Sequence, residues 1–206
     1  MVKKITAAKN LETEDTASRI VHQATRLFLE KGYHGTSIDD ITKAAGLTKG
    51  ALYWYFKSKQ DLLEKIVKEF ENRFLNGLIQ AVEETGGEIH DKFEKMFRYN
   101  AAFAFHNREL CVSFTTLAAE LVGSHHGIET EIRRIYKKYQ NFLSNLILQG
   151  KKEKIFKKDI DHKMAALIIM AFHDGILLHW SMNKDKVDGK TCATAFKKII
   201  VNGLLS

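Results

Sequence analysis

From Thr36 to Lys59 the chain reads TSIDDITKAAGLTKGALYWYFKSK. This stretch accommodates two short helices and a sharp glycine turn, and little else. Ser37, with Asp40 three residues on, has the spacing of a capping box that starts a helix. Gly46 stands where a helix stop needs a left-handed residue. Thr48 then caps a second helix over residues 49–56. Leu52 and Phe56, four apart, supply its core face. Three consecutive aromatics cannot share one face, so at least some of Tyr53, Trp54 and Tyr55 must be exposed.

That pattern suits a helix presented to a DNA major groove. A capped N-terminus leaves backbone N–H groups pointing outward, toward phosphate. Lys49 adds a mobile positive charge. Gly50 and Ala51 keep the front of the helix slim, and Ala51 is suited to a thymine methyl. Lys57 and Lys59 open the following helix, placed to clamp the DNA backbone. The same pattern also serves plain helix packing, so on these residues alone both readings stand.

The remaining sequence predicts an all-helical chain. Proline, which breaks helix interiors, is absent from all 206 residues. A first helix is expected from about Thr16, with Ile20, Ala24, Leu27 and Phe28 at helical spacing and Gly32 as its stop. Residues 1–14 read as a loose basic arm. A long fourth helix follows Ser58 and fades at Thr85-Gly86-Gly87. Further helices are expected over 88–107, 108–122, 128–154, 161–182 and 190–205. The natural division lies in the fourth helix, giving a head over residues 1–60 and a larger unit over 61–206.

Net charge is +7, and +4 of it falls within residues 1–60. That favours a polyanionic partner without establishing one. The two cysteines, Cys111 and Cys192, have no metal or disulfide spacing and fit a reducing cytoplasm. Met164 to Phe172 is a run of nine apolar residues. With its polar neighbours it falls short of the ~20 a membrane span needs, so no membrane is expected. The adjacent His125-His126 pair and the His173/His179 spacing do not make a metal site. No signature of nucleophilic or paired-carboxylate catalysis appears, and no cofactor is expected.

Ile20 to Leu63 resembles the DNA-binding domain of the tetracycline-repressor (TetR) family. The likeness is carried by Ala24, Leu27-Phe28, Lys31-Gly32-Tyr33, Thr36-Ser37, Ile41, Ala45-Gly46, Gly50, Leu52-Tyr53, Phe56, Lys59 and Leu62-Leu63. It implies a three-helix helix-turn-helix head followed by a helical ligand-binding and dimerisation domain. By the same resemblance, Thr36 or Ser37 would bond phosphate and Thr48 would cap the reading helix. Lys49, Ala51 and Trp54 would face bases, and Tyr53 and Lys59 would hold phosphates. Tyr55 stands where the family often has histidine, Thr48 where serine is commoner, and Thr42 where alanine is common.

A dimer on a palindromic operator follows from the need for two heads one DNA turn apart. Its surface is expected on the last two helices, at Ile169, Phe172, Phe196, Ile199, Ile200 and Gly203. The aromatic-rich middle helices suggest a small-molecule pocket involving Met96, Asn100, Phe103, Phe114, Tyr139 and His173. Residues 133–158 hold nine Lys/Arg and one acidic residue. They read as a solvated face, or as a seat for an anionic effector such as an acyl thioester of coenzyme A. The function expected is a ligand-released repressor. The alternatives are an activator, a ligand-insensitive regulator, a helical enzyme or a protein-interaction module.

Overall fold

The computed structural model describes residues 2–124, 127–183 and 188–205, with side chains from residue 15 onward. His125 and His126 lie outside the described residues. The helices are α1 (Val2–Lys31), α2 (Ile38–Ala45), α3 (Lys49–Tyr55), α4 (Lys59–Phe70), α5 (Gly77–Glu83), α6 (Ile89–His106), α7 (Arg108–Glu120), α8 (Gly127–Lys152), α9 (His162–Met182) and α10 (Gly189–Leu204). The only strand-like pairing among the described residues is one isolated antiparallel bridge, Phe156 to Leu205.

The local signals fall where the sequence puts them. The Ser37 hydroxyl accepts the Asp40 N–H while the Asp40 carboxylate accepts the Ser37 N–H, closing the capping box. Gly32 and Gly46 adopt φ of +76° and +65°, the region a side chain resists. One boundary differs. α1 is helical from Val2 rather than from Thr16. Eight of residues 2–14 are Ala, Lys, Leu or Glu, all good helix formers, and the stretch contains neither Gly nor Pro to stop a helix propagating back through it.

α4, a π turn at Glu71–Asn76 and α5 form one unbroken helix of changing pitch. The pitch change has a local cause. Tyr99 of α6 donates its hydroxyl to the Arg73 carbonyl at 2.7 Å, and the Gly77 N–H bonds Phe74 instead. A Cβ on Gly77 would lie 2.2 Å from that hydroxyl, so glycine is what admits it. The π turn carries Phe74 into the centre of the larger unit. There it meets Phe70, Phe103, Tyr139 and His173.

Head and body share a core. α1 packs along α7, and Ser113 of α7 donates to the buried Thr25 carbonyl. At the end of α7, the Glu120 carboxylate accepts the N–H groups of Tyr33 and His34 at 2.8 and 2.9 Å. A carboxylate receiving two N–H bonds is a strong, directional clasp.

Candidate nucleic-acid interface and core cavity

α3 is built as a presented helix. Leu52 is fully buried and Phe56 nearly so, anchoring one side. Thr48 accepts the Ala51 N–H at 3.2 Å and fixes the N-terminus. On the other side Tyr53 is 49% exposed and Trp54 71%. Gly50 is exposed, Ala51 half-buried, and Tyr55 is half-buried edge-on to Trp54. Lys49 is exposed, with its ammonium 2.7 Å from the Asp39 carboxylate of α2. That partner was not anticipated. The sequence signal for it is the acidic first turn of α2, Asp39-Asp40.

Two residues assigned to phosphate face inward. Thr36 is only 2% exposed, and its hydroxyl donates to the carbonyls of Gly32 and Leu27. Ser37, exposed at the start of α2, is the member of that pair left on the open face. Lys59 donates to the carbonyls of Tyr33 and Thr36, both at 2.8 Å, with its ammonium 4.4 Å from the Tyr33 ring centre. It ties the α1–α2 turn to α4. Thr42 is buried, its hydroxyl donating to the Asp39 carbonyl.

A cavity of about 830 Å³ opens between α6, α9 and α10. Its walls include Phe97, Phe105, Trp180 and Phe196, with Asn100 and His173 as polar members. Arg98, Lys190 and Lys197 contribute cationic lining, and Lys197 pairs with Glu94. A small void of about 20 Å³ lies beside it, lined by Phe114, Tyr139, His173 and Asp174. His173 therefore borders both spaces. Met96 and Phe103 line neither. Met96 is wholly buried core, and Phe103 packs between Phe74 of the π turn and Tyr99.

The basic stretch at 133–158 is largely spoken for. Arg134 and Lys138 converge on Glu71 in the π turn, holding its carboxyl below the usual range, and Arg133 pairs with Glu129. Lys151 and Lys157 donate to backbone carbonyls. The anion seat expected there has little free charge at those positions.

Burial sets the protonation of the inner groups. His173 is pushed down to about 4 by desolvation and is neutral at physiological pH. Asp174 is pushed up to about 6 by desolvation, opposed by hydrogen bonds from Tyr136 and Thr115. An unfolded aspartate titrates near 3.9. Between the two values the folded chain holds a proton that the unfolded chain has lost, so this group's contribution weakens as pH rises through about 4–6. Asp174→Asn is expected to raise stability at pH 7.5 by up to about 2–3 kcal/mol and to flatten that part of the pH profile. Calorimetry at pH 4.5 and 7.5 checks it; equal melting shifts at both would dismiss the titration.

Of the expected dimer residues, Ile169 and Phe196 are 2% and 6% exposed within their own chain, where they pack as core. Phe172, at 39%, and Ile199, at 61%, do face outward. Ile200 is half-buried and Gly203 exposed. With them stand Met164, Leu167 and Ile168, each about half exposed. α9 has the length and mean hydropathy of a membrane span. It nevertheless packs on α8 and α10 and carries His173, Asp174 and His179.

Two family models match successive parts of the chain. Residues 20–66 match the model for bacterial regulatory proteins of the tetR family, and residues 67–203 match that for the C-terminal region of YsiA-like proteins. The fatty acid metabolism regulator protein of Bacillus subtilis (strain 168) is 25% identical over 186 residues, covering 90% of this chain and 94% of its own. The MbdR regulator of Azoarcus sp. CIB superposes with a TM-score of 0.84 at 28% identity, covering 93% of this chain and all of the other. The regulator FadR of Bacillus subtilis, solved in complex with stearoyl-CoA, superposes with a TM-score of 0.74 at 25% identity, covering 90% and 98%.

Proposed function

The chain belongs to the TetR family of bacterial regulatory proteins, and from that premise we propose that it is a ligand-responsive homodimeric repressor. The family places it among DNA-binding transcription regulators and not among enzymes. The observation that carries the reading is α3, a capped helix with Leu52 buried behind it and Lys49, Tyr53 and Trp54 in front. Two such heads reach successive major grooves ~34–36 Å apart on a palindrome. A dimer occupying an operator across a promoter excludes polymerase by position alone, which is why repression is preferred. Chromosomal DNA as partner puts the protein in the cytoplasm.

The partner surface is the outward face of α9 and α10, including Phe172, Ile199, Ile200 and Gly203. The apolar row of Met164, Leu167 and Ile168 supports it, because contiguous exposed apolar area marks an interaction site. The effector site is the α6–α9–α10 cavity, whose size falls in the range of small-molecule sites, about 300–1,000 Å³. An amphipathic acyl thioester is the class preferred, on the likeness to FadR with stearoyl-CoA. Its apolar part would lie among Phe97, Phe105 and Trp180, and its anionic part near Arg98 and Lys190. Binding there releases DNA only to the extent that the effector prefers the released state.

The test is fluorescence anisotropy on DNA from immediately upstream of the gene, at several salt concentrations, against a scrambled fragment. Tight, salt-dependent preference for the native fragment is expected. Equal weak binding to both would leave only attraction to a basic surface. Lys49→Ala and Trp54→Ala are expected to change which operator variants bind best, each shifting the preference at its base pair by about 1–3 kcal/mol. An unchanged ranking with lower affinity would remove them from the bases.

A further inference from the structure

We infer that the cavity selects effectors carrying a hydroxyl group at their buried end, and that Asn100 is the residue that selects them. This rests on the reading of the cavity as the effector site. Asn100 lines the cavity and is 8% exposed. Its amide nitrogen donates to the Tyr139 hydroxyl at 3.4 Å, a long bond. Its amide oxygen is closed off from solvent and has no partner among the described residues.

Turning the amide end for end does not remove the problem. Tyr139 would then donate to the oxygen, and the nitrogen would be stranded instead. One polar atom of Asn100 is short of a partner in either orientation, and leaving such an atom buried is costly. A ligand hydroxyl both donates and accepts, so it completes the amide whichever way it faces. A plain hydrocarbon end completes neither. Phe97, Ile176, Leu177 and Phe196 make the wall around it apolar, and His173 is the other polar group nearby, which is why the comparison below isolates Asn100 by substitution. The oxygen is covered by its neighbours, so engaging it requires the side chains around Asn100 to shift. The outcome is a largely apolar wall in which Asn100 carries an incompletely bonded amide. Such sites reject analogues lacking the polar group more sharply than apolar walls reject an extra methylene.

The experiment uses the full chain and two pairs of probes that differ by one hydroxyl: 4-propylphenol against propylbenzene, and 12-hydroxydodecanoate against dodecanoate. Dissociation constants are read by calorimetry, with tryptophan fluorescence, to which Trp180 of the cavity and Trp54 of the head both contribute, as a second readout. The quantity of interest is how far the hydroxyl changes affinity in the wild type compared with Asn100→Leu. At least a tenfold loss of hydroxyl preference is expected in the variant, with the plain probes binding as well as before or better. Preference within twofold of wild type would overturn the inference, as would failure of all four probes to bind at millimolar concentration. Asn100→Ala carries the same comparison without added bulk if the leucine variant does not fold. In the wild type alone, 2-propylphenol is expected to bind at least several-fold less tightly than 4-propylphenol, and equal binding would count against a fixed partner. Operator binding is measured separately. Its absence with the hydroxyl preference intact would sink the regulatory reading and leave this one standing, and the reverse result would do the opposite.

Discussion

Replacing Phe74 with alanine lowers the melting temperature by about 6–20 °C. The ring is 2% exposed and touches Phe70, Phe103, Tyr139 and His173, so no neighbour can be expected to collapse fully into the space. A buried Phe→Ala change costs about 3–5 kcal/mol. For a chain of this size each kcal/mol corresponds to about 2–4 °C. Scanning calorimetry reads the shift directly, and a drop below about 3 °C would mean the centre repacks around the gap. Phe74→Leu keeps most of the volume and removes the ring contact with His173. It should recover more than half of the lost stability. If the π turn relays cavity occupancy to the head, it should also weaken the effect of bound probe on operator affinity.

The second large effect is at Lys59. Lys59→Met keeps the aliphatic stem and removes the ammonium that bonds the Tyr33 and Thr36 carbonyls. Hydrogen bonds to charged groups contribute about 1.5–3 kcal/mol, so the α1–α2 turn should loosen and operator affinity should fall by about tenfold or more. The salt dependence distinguishes this from loss of a phosphate contact, which would lower the slope by about one. An unchanged slope is expected, together with faster hydrogen exchange at the Thr36 amide, which bonds the Tyr33 carbonyl. A flatter slope with unchanged exchange would return Lys59 to the DNA backbone.

The outcome at Lys59 shows where sequence reading runs out. Spacing located α2 and α3 because their signals are local: a capping residue, a glycine stop, two apolar positions four apart. Exposure of Tyr53 and Trp54 followed by exclusion from the Leu52 face. The direction of a long side chain is decided by partners far away in sequence, and Lys59 finds carbonyls 23 and 26 residues back. The π turn was invisible for the same reason, since its cause is Tyr99, 26 residues beyond Arg73. In the last helices, periodicity identified apolar faces but not which of two neighbours each would meet. Ile169 and Phe196 therefore went to their own core, while Met164 and Ile168 stayed outside. The basic run at 133–158 read as free charge because Glu71, which neutralises part of it, belongs to a different helix.

The Glu120 clasp bears on how such a protein can be re-engineered. A sensor with a borrowed head is usually imagined as a cut and splice near the start of α4. Here the head's first helix is seated along α7, and its closing turn is held by a carboxylate more than eighty residues further on. A transplanted head would arrive with Tyr33 and His34 equivalents shaped for a different acceptor. Chimeras that carry the matching surface of α7, with Ser113 and Glu120 included, should switch; those spliced at the linear boundary alone should fold as two parts and fail to report to one another.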